Sequence, residues 1–265
     1  MASYTHGHHE SVLRSHLWRT VENSAAYLAP HLEPGMSLLD VGCGPGNLTV
    51  DLARRVAPGR VAGIDNVDSI VRRATSDAPQ DIGNVEFTVG DVYNMDFTDD
   101  TFDVVHAHQV LQHVNDPVGA LREMRRVSRS GGIVAARDAD YAAMKWYPAD
   151  PRLERWRDLY RTVARGNGGE PDAGRHLLQW AGEAGFVDVE PSASIWRFDS
   201  PADRAWWGSL WADRVRDSAF ADQAIDRGLA SRSDLDEIAA GWLEWTAHPD
   251  GWFTVSHNEI IASVP

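Results

Sequence analysis

Asp40, Gly42, Cys43, Gly44 and Gly46 crowd into one short stretch directly after the apolar pair Leu38-Leu39. An acid at the end of a strand followed by alternating glycines makes a tight turn that brings bare backbone up to a nucleoside-type ligand. A second acid, Asp65, ends the run Val61-Ala62-Gly63-Ile64. It follows the glycine turn by about 20 residues, where a carboxylate can offer its two oxygens to the cis-diol of a ribose. His106 and His108 stand at alternate positions of a later apolar run, so they point to the same side of a strand. Either can contact a ligand or remove a proton from a hydroxyl or amine; equally, both can be satisfied polar groups at a strand end. The glycine spacing itself disfavours one chemistry. A dinucleotide fingerprint starting at Gly42 needs a small third residue at position 47, and Asn47 stands there.

These residues must be held by an alternating fold. Ser37–Val41, Arg60–Ile64, Val85–Val89, Phe102–Ala107 and Ile133–Ala136 read as strands. Leu48–Val56, Val67–Ser76 and Pro117–Val127 read as helices, the last with proline at its start. Such alternation predicts an α/β, Rossmann-like fold whose mostly parallel sheet is flanked by helices. Before it, Val12, Leu13, Leu17, Val21, Ala25, Leu28 and Leu32 recur at helical spacing. After it come helical patterns at Pro151–Ala164 and Asp172–Ala184, a strand at Phe186–Phe198, helical segments over 201–248 and a last strand at Trp252–Ser256. The stretch 200–250 is too long for a plain connection and is expected to form an inserted helical cap.

Composition narrows the class. A net charge of −14 argues against a broad nucleic-acid surface. No apolar run approaches the roughly 20 residues that span a bilayer. A single cysteine excludes an internal disulfide framework and fits a reducing, cytoplasmic setting. Seven of the 11 tryptophans lie from Trp196 onward. At helical spacing, Trp206, Trp207 and Trp211, like Trp242 and Trp245, fit either core or an aromatic wall around a flat acceptor.

Further motifs extend the pattern. Gly90-Asp91-Val92 follows the third strand, Phe102-Asp103-Val104-Val105 leads into Leu111-Gln112-His113-Val114-Asn115-Asp116-Pro117, and Leu121–Val127 precedes Gly131-Gly132. With the D-x-G-x-G-x-G turn, this series over residues 36–137 resembles the class I S-adenosylmethionine (SAM) methyltransferases. The similarity is to the small-molecule branch related to ubiquinone and menaquinone biosynthesis enzymes. The resemblance implies a seven-stranded sheet, SAM as methyl donor, S-adenosylhomocysteine as product and a small organic acceptor methylated at O, N, C or S. It places Gly42, Gly44 and Gly46 against the cofactor with Asp40 supporting the turn and Cys43 as a small turn residue. Asp65 would hold the ribose, Asn66 would sit beside the adenine, and Asp91 and Val92 would read the adenine edge. His108 would lie near the methionyl end and His113 at the cofactor's margin. The corresponding division is an N-terminal helical lid (1–34), a SAM-binding domain (35–199), the cap (200–250) and a final strand and tail (251–265).

Other assignments follow from position. Tyr4 and the neighbouring histidines form a polar start, a lid over the site in which Tyr4 is an acceptor-binding candidate, or a metal site, the last without the acids or cysteines that zinc prefers. Arg19 and Trp18 could face the methionyl carboxylate or the acceptor. Tyr141, Trp146 and Tyr147, just past the fifth strand, are pocket candidates, and Arg137-Asp138 could contact the acceptor. A homodimer is possible on this reading. Two alternatives stay open: a SAM-binding protein of the same fold with a different reaction or a binding role, and a nicotinamide oxidoreductase, disfavoured by Asn47.

Overall fold

A computed structural model of the chain describes Thr5 and residues 10–265. Its strands are β1 (Leu38–Val41), β2 (Val61–Asp65), β3 (Val85–Val89), β4 (Phe102–His108), β5 (Ser128–Ala139), β6 (Lys145–Tyr147), β7 (Val189–Phe198) and β8 (Trp252–Ser263). Its helices are α1 (Glu10–Leu17), α2 (Val21–Ser24), α3 (Asn47–Val56), α4 (Asp68–Asp77), α5 (Pro117–Val127), α6 (Pro151–Gly166), α7 (Leu177–Glu183), α8 (Pro201–Asp217), α9 (Ala219–Asp226) and α10 (Arg232–Ala247).

Strands β3, β2, β1, β4 and β5 pair in that order, all parallel. β8 then runs antiparallel to β5 and carries β7 on its other edge. The expected seven strands are joined by an eighth, β6. β8 begins at Trp252 but first meets β5 at His257, so its leading backbone groups need another partner. Lys145–Tyr147 provides it.

One face of the sheet packs Leu39, Val105 and Val134 against Leu121 and Met124 of α5 and Leu177 of α7. The other packs Leu38, Val104 and Ala135 against Val21, Ala25 and Leu28 and against Leu52 of α3. The amino-terminal segment is broken where one helical run was expected. Thr20 is extended (φ −132°) and caps α2 reciprocally with Asn23, and Pro30 lies in a 3-10 turn, Ala29–His31.

α8, α9 and α10 stand between β7 and β8. Ser200 accepts from Asp203 N and Pro201 opens α8; Ser231 and Asp234 form a capping box that starts α10. Their core is aromatic and takes in α6 as well: Trp156 meets Trp211 edge-on at 4.5 Å and Trp242 at 4.9 Å. Trp206, Trp242 and Trp245 belong to that core.

Candidate active site

The glycine turn leaves β1 with Gly42 at φ +68° and Gly46 at φ +87°. A Cβ on Gly42 would lie 2.5 Å from Val110 Cγ2, and one on Gly46 would lie 2.7 Å from the Phe87 ring. Neither position accepts a side chain. Beneath the turn, buried Asp40 accepts from Thr49 Oγ1 at 2.6 Å and pairs with His106 Nδ1 at 2.8 Å. Asp40 therefore ties the end of β1 to α3 on one side and to β4 on the other.

The turn borders a cavity of ≈ 280 Å³ at the carboxyl ends of the strands. One half is built by β1, β2, β3 and the loop after β4. Asp65 sits at its edge with Oδ2 accepting from Gly44 N at 3.2 Å and Oδ1 from Val67 N at 3.0 Å. Asn66, Asp91, Val92, Ile64, Val67 and Ile70 share the lining, so two carboxylates flank an apolar slot. Tyr93 closes it, its hydroxyl donating to Asn115 Oδ1 at 2.7 Å and accepting from Asp116 N at 3.0 Å. His113 lies here too, its imidazole pushed down to about 3, first by burial and then by Arg19. A carboxylate with two oxygens at the edge of an apolar slot, beside a glycine-rich turn, has the chemistry to take a nucleoside with a planar base.

The other half lies between the tip of β4, α1 and α8. Its lining includes His108, Gln109, Arg19, Ser15, Tyr141, Met144, Trp196, Trp207, Trp211 and Arg214. Gln109 is held at φ +55°, a conformation that costs a non-glycine residue on the order of 1–3 kcal/mol. Three bonds fix it. Its N–H donates to Arg137 O at 2.7 Å, its Oε1 accepts from Arg19 Nη2 at 2.9 Å, and its amide nitrogen contacts His257 Nε2 at 2.8 Å. α1 closes this half from above: Arg14 pairs with Asp213, and Ser15 Oγ accepts from Arg214 Nη2 at 3.0 Å. His108 is held well below the usual imidazole range, chiefly by burial and then by Arg19 and Arg137.

Most expected cofactor residues meet at the cavity: Gly42, Gly44, Asp65, Asn66, Asp91, Val92, His108, His113 and Arg19 all line it. Cys43 and Asp40 border a small hollow beside the turn instead, and Gly46 lines neither space, its Cα facing the Phe87 ring and Ala74. His106 and His108 do face the same side, but only His108 reaches the opening; His106 is wholly buried as a brace for Asp40. Of the acceptor candidates, Tyr141 lines the cavity and Tyr4 lies outside the described residues. Trp146 and Tyr147 do not line it, because β6 draws them away: Trp146 stacks on Phe253 at 5.7 Å and Tyr147 is about half exposed against His248. Arg137 also points elsewhere, pairing with Glu259 at 3.0 Å, and Asp138 is buried under the loop after β4. Burial lifts the Asp138 carboxyl to about 7, although it accepts from Gln112 N. Gln109, His257, Ser15 and Arg214 carry no sequence signal, since they come from four distant segments.

A sequence model described as a methyltransferase domain matches residues 32–185. An uncharacterized methyltransferase of Schizosaccharomyces pombe is 34% identical across 97% of this chain and 95% of its own length. The 2-methyl-6-phytyl-1,4-hydroquinone methyltransferase of Synechocystis is 29% identical, across 78% of this chain and 63% of its own. Among solved structures, a putative methyltransferase from Bacillus halodurans aligns with a TM-score of 0.55 at 18% identity, covering 91% of this chain and 98% of its own.

Proposed function

The chain belongs to the methyltransferase family, and on that premise we propose that it moves a methyl group from S-adenosylmethionine to a small organic acceptor held beneath α1 and α8. The observation that carries this reading is one cavity with two unlike halves meeting at Gly42 and His108: a nucleoside-shaped slot and an aromatic chamber. Asp65 takes the ribose hydroxyls, Asn66, Asp91 and Val92 border the adenine, and Arg19 and His113 stand toward the methionyl end. Gly42 and Gly44 let the backbone approach, and Gly46 lets the turn pass over Phe87. Tyr141, Trp196, Trp207 and Trp211 bound the acceptor.

The donor supplies an electrophilic methyl group. The protein's part is to hold nucleophile and methyl aligned with water excluded, a positioning effect worth about 7–11 kcal/mol at best. The closure of α1 on α8 serves that exclusion, and the amino-terminal segment acts as its lid. No described helix is long and apolar enough to cross a membrane. With a single, buried cysteine, a cytoplasmic enzyme on a diffusible acceptor is the reading we favour. Calorimetry with SAM and with S-adenosylhomocysteine tests the proposal: both should bind, while NAD should not. Tight NAD binding with no heat from either SAM compound would overturn it.

A further inference from the structure

A second cavity, of ≈ 910 Å³, lies between β7 and the segment from Trp18 to His31, with Arg137 and Glu259 in its lining. Trp196 borders this cavity and the first, and so stands between them, whereas Arg137 lines only the second. The Arg137–Glu259 pair is buried but unevenly matched. Glu259 Oε1 accepts from Arg137 Nε at 3.0 Å and from Ser194 Oγ, and Oε2 accepts from Ser192 Oγ at 2.8 Å. Arg137 Nη2 donates to Ser194 Oγ at 3.0 Å, yet Nη1 has no partner although the residue is 1% exposed. The Tyr27 hydroxyl, in the same lining, is also buried without a partner. Burial holds it well above the usual phenol range, against the pull of Arg137, so it remains a donor at neutral pH. Two donors thus go unused where an unmade hydrogen bond is costly.

We propose that this cavity is a second binding site, for a small uncharged molecule whose carbonyl oxygen accepts from Arg137 Nη1 and from the Tyr27 hydroxyl. A guanidinium N–H can only donate, so the matching group must be an acceptor, and a carbonyl oxygen has two lone pairs for two donors. An ammonium group has no lone pair to give.

Charge argues against an anion. Glu259 already neutralises Arg137. The lining sets the carboxylates of Glu22, Glu190 and Glu259 against the guanidiniums of Arg137 and Arg197, with His31 exposed beside them. Glu22 pairs in turn with Arg55, and Arg197 with Asp199. No surplus of positive charge is left to hold a carboxylate. The body of the ligand meets apolar surface: Trp18 and Trp196, edge-on at 5.1 Å, together with Pro30, Ile195 and Ile261. The Arg137 guanidinium lies over the Trp196 ring at 4.9 Å, which fixes the donor against that wall.

Three probes of one shape test the class: cyclohexyl methyl ketone, cyclohexanecarboxylate and cyclohexylmethylamine. Each is titrated by calorimetry into the full chain at about pH 8, with and without S-adenosylhomocysteine. The ketone should bind about tenfold tighter than either charged probe, and within about threefold the same in both conditions. Tyr27→Phe keeps the ring, and Arg137→Lys keeps a cation for Glu259. Each should weaken ketone binding about tenfold while leaving S-adenosylhomocysteine affinity unchanged. Should the lysine variant fail to fold, Tyr27→Phe decides alone. Ketone binding that Tyr27→Phe does not alter, or that S-adenosylhomocysteine displaces, overturns the proposal. So does a carboxylate or amine that binds as tightly as the ketone, and so does an absence of heat from all three, which would leave the cavity to water. Failure of S-adenosylhomocysteine itself to bind would count against the methyl-transfer reading, and the titrations made without it would still decide this one.

Discussion

The two halves of the cavity are built on opposite plans. In the nucleoside half, backbone and short acids at strand ends do the work, and their bonds are largely made: Asp65 is fixed by Gly44 and Val67, Asp40 by Thr49 and His106. In the aromatic half, large rings from α8 and β7 set the walls, and polar atoms such as those of His108 and Trp207 are left unmade. The first plan suits a ligand whose shape never changes. The second leaves selection to whichever molecule completes the missing bonds.

That contrast can be broken by experiment, most severely from the aromatic side. Trp156→Ala removes the ring between Trp211 and Trp242 and should cost about 3–5 kcal/mol of stability in urea unfolding. If the halves are as separate as their contacts indicate, the folded variant will still bind S-adenosylhomocysteine normally by calorimetry.

Asp138 gives the next largest effect. The folded protein keeps its proton up to about 7 against 3.8 for the ordinary carboxyl. The unfolded chain releases that proton near pH 4, so the contribution is whole below that point and drains away as pH rises toward 7. The slope is at most about 1.4 kcal/mol per pH unit. His108 and His257 act in the opposite sense: burial keeps both neutral, and stability falls as acid protonates the unfolded chain below about pH 6.5. Urea midpoints compared between about pH 5 and 7 should therefore fall in wild type relative to Asp138→Asn. Parallel curves would show that Asp138 is ionised throughout.

Asp65→Ala probes the other side. It should weaken SAM binding by about 1–3 kcal/mol in calorimetry and leave the aromatic half untouched. Unchanged affinity would remove Asp65 from the ribose. The smallest effect belongs to Cys43→Ala. Burial and the carboxylates of Asp40 and Asp65 raise its thiol, so no thiolate forms at neutral pH. The variant should keep a rate within about twofold of wild type, and the native thiol should react slowly with a disulfide reagent.

The nucleoside half was legible in the sequence because backbone geometry restricts residue type. Gly42 and Gly46 have no room for a Cβ, and the acid that ends β2 accepts from Gly44 N and Val67 N, so the pattern is written in nearby letters. The parallel sheet followed for the same reason, from strand and helix periods that repeat locally. The aromatic half was not legible to that degree. Trp146 and Tyr147 follow β5 closely in the chain, yet pairing with β8 carries them off. Arg214 and Ser15 meet only because α1 lies on α8, and Gln109 meets Arg19 from 90 residues away in the chain. His106 and His108 show the limit most plainly: alternation gave their side, but depth along the strand, which separates a brace from a cavity residue, depends on where the turn beyond β1 lies.

The packed indoles have an optical consequence. Trp207, Trp211, Trp242 and Trp156 sit with ring centroids 4.5–6.0 Å apart. Light absorbed by one will hop to its neighbours before it is re-emitted, so the emission should be strongly depolarised. A guest resting on Trp207 or Trp211 drains that shared excitation and dims several rings at once. The indole cluster thus reports, by its own light, whatever settles against it.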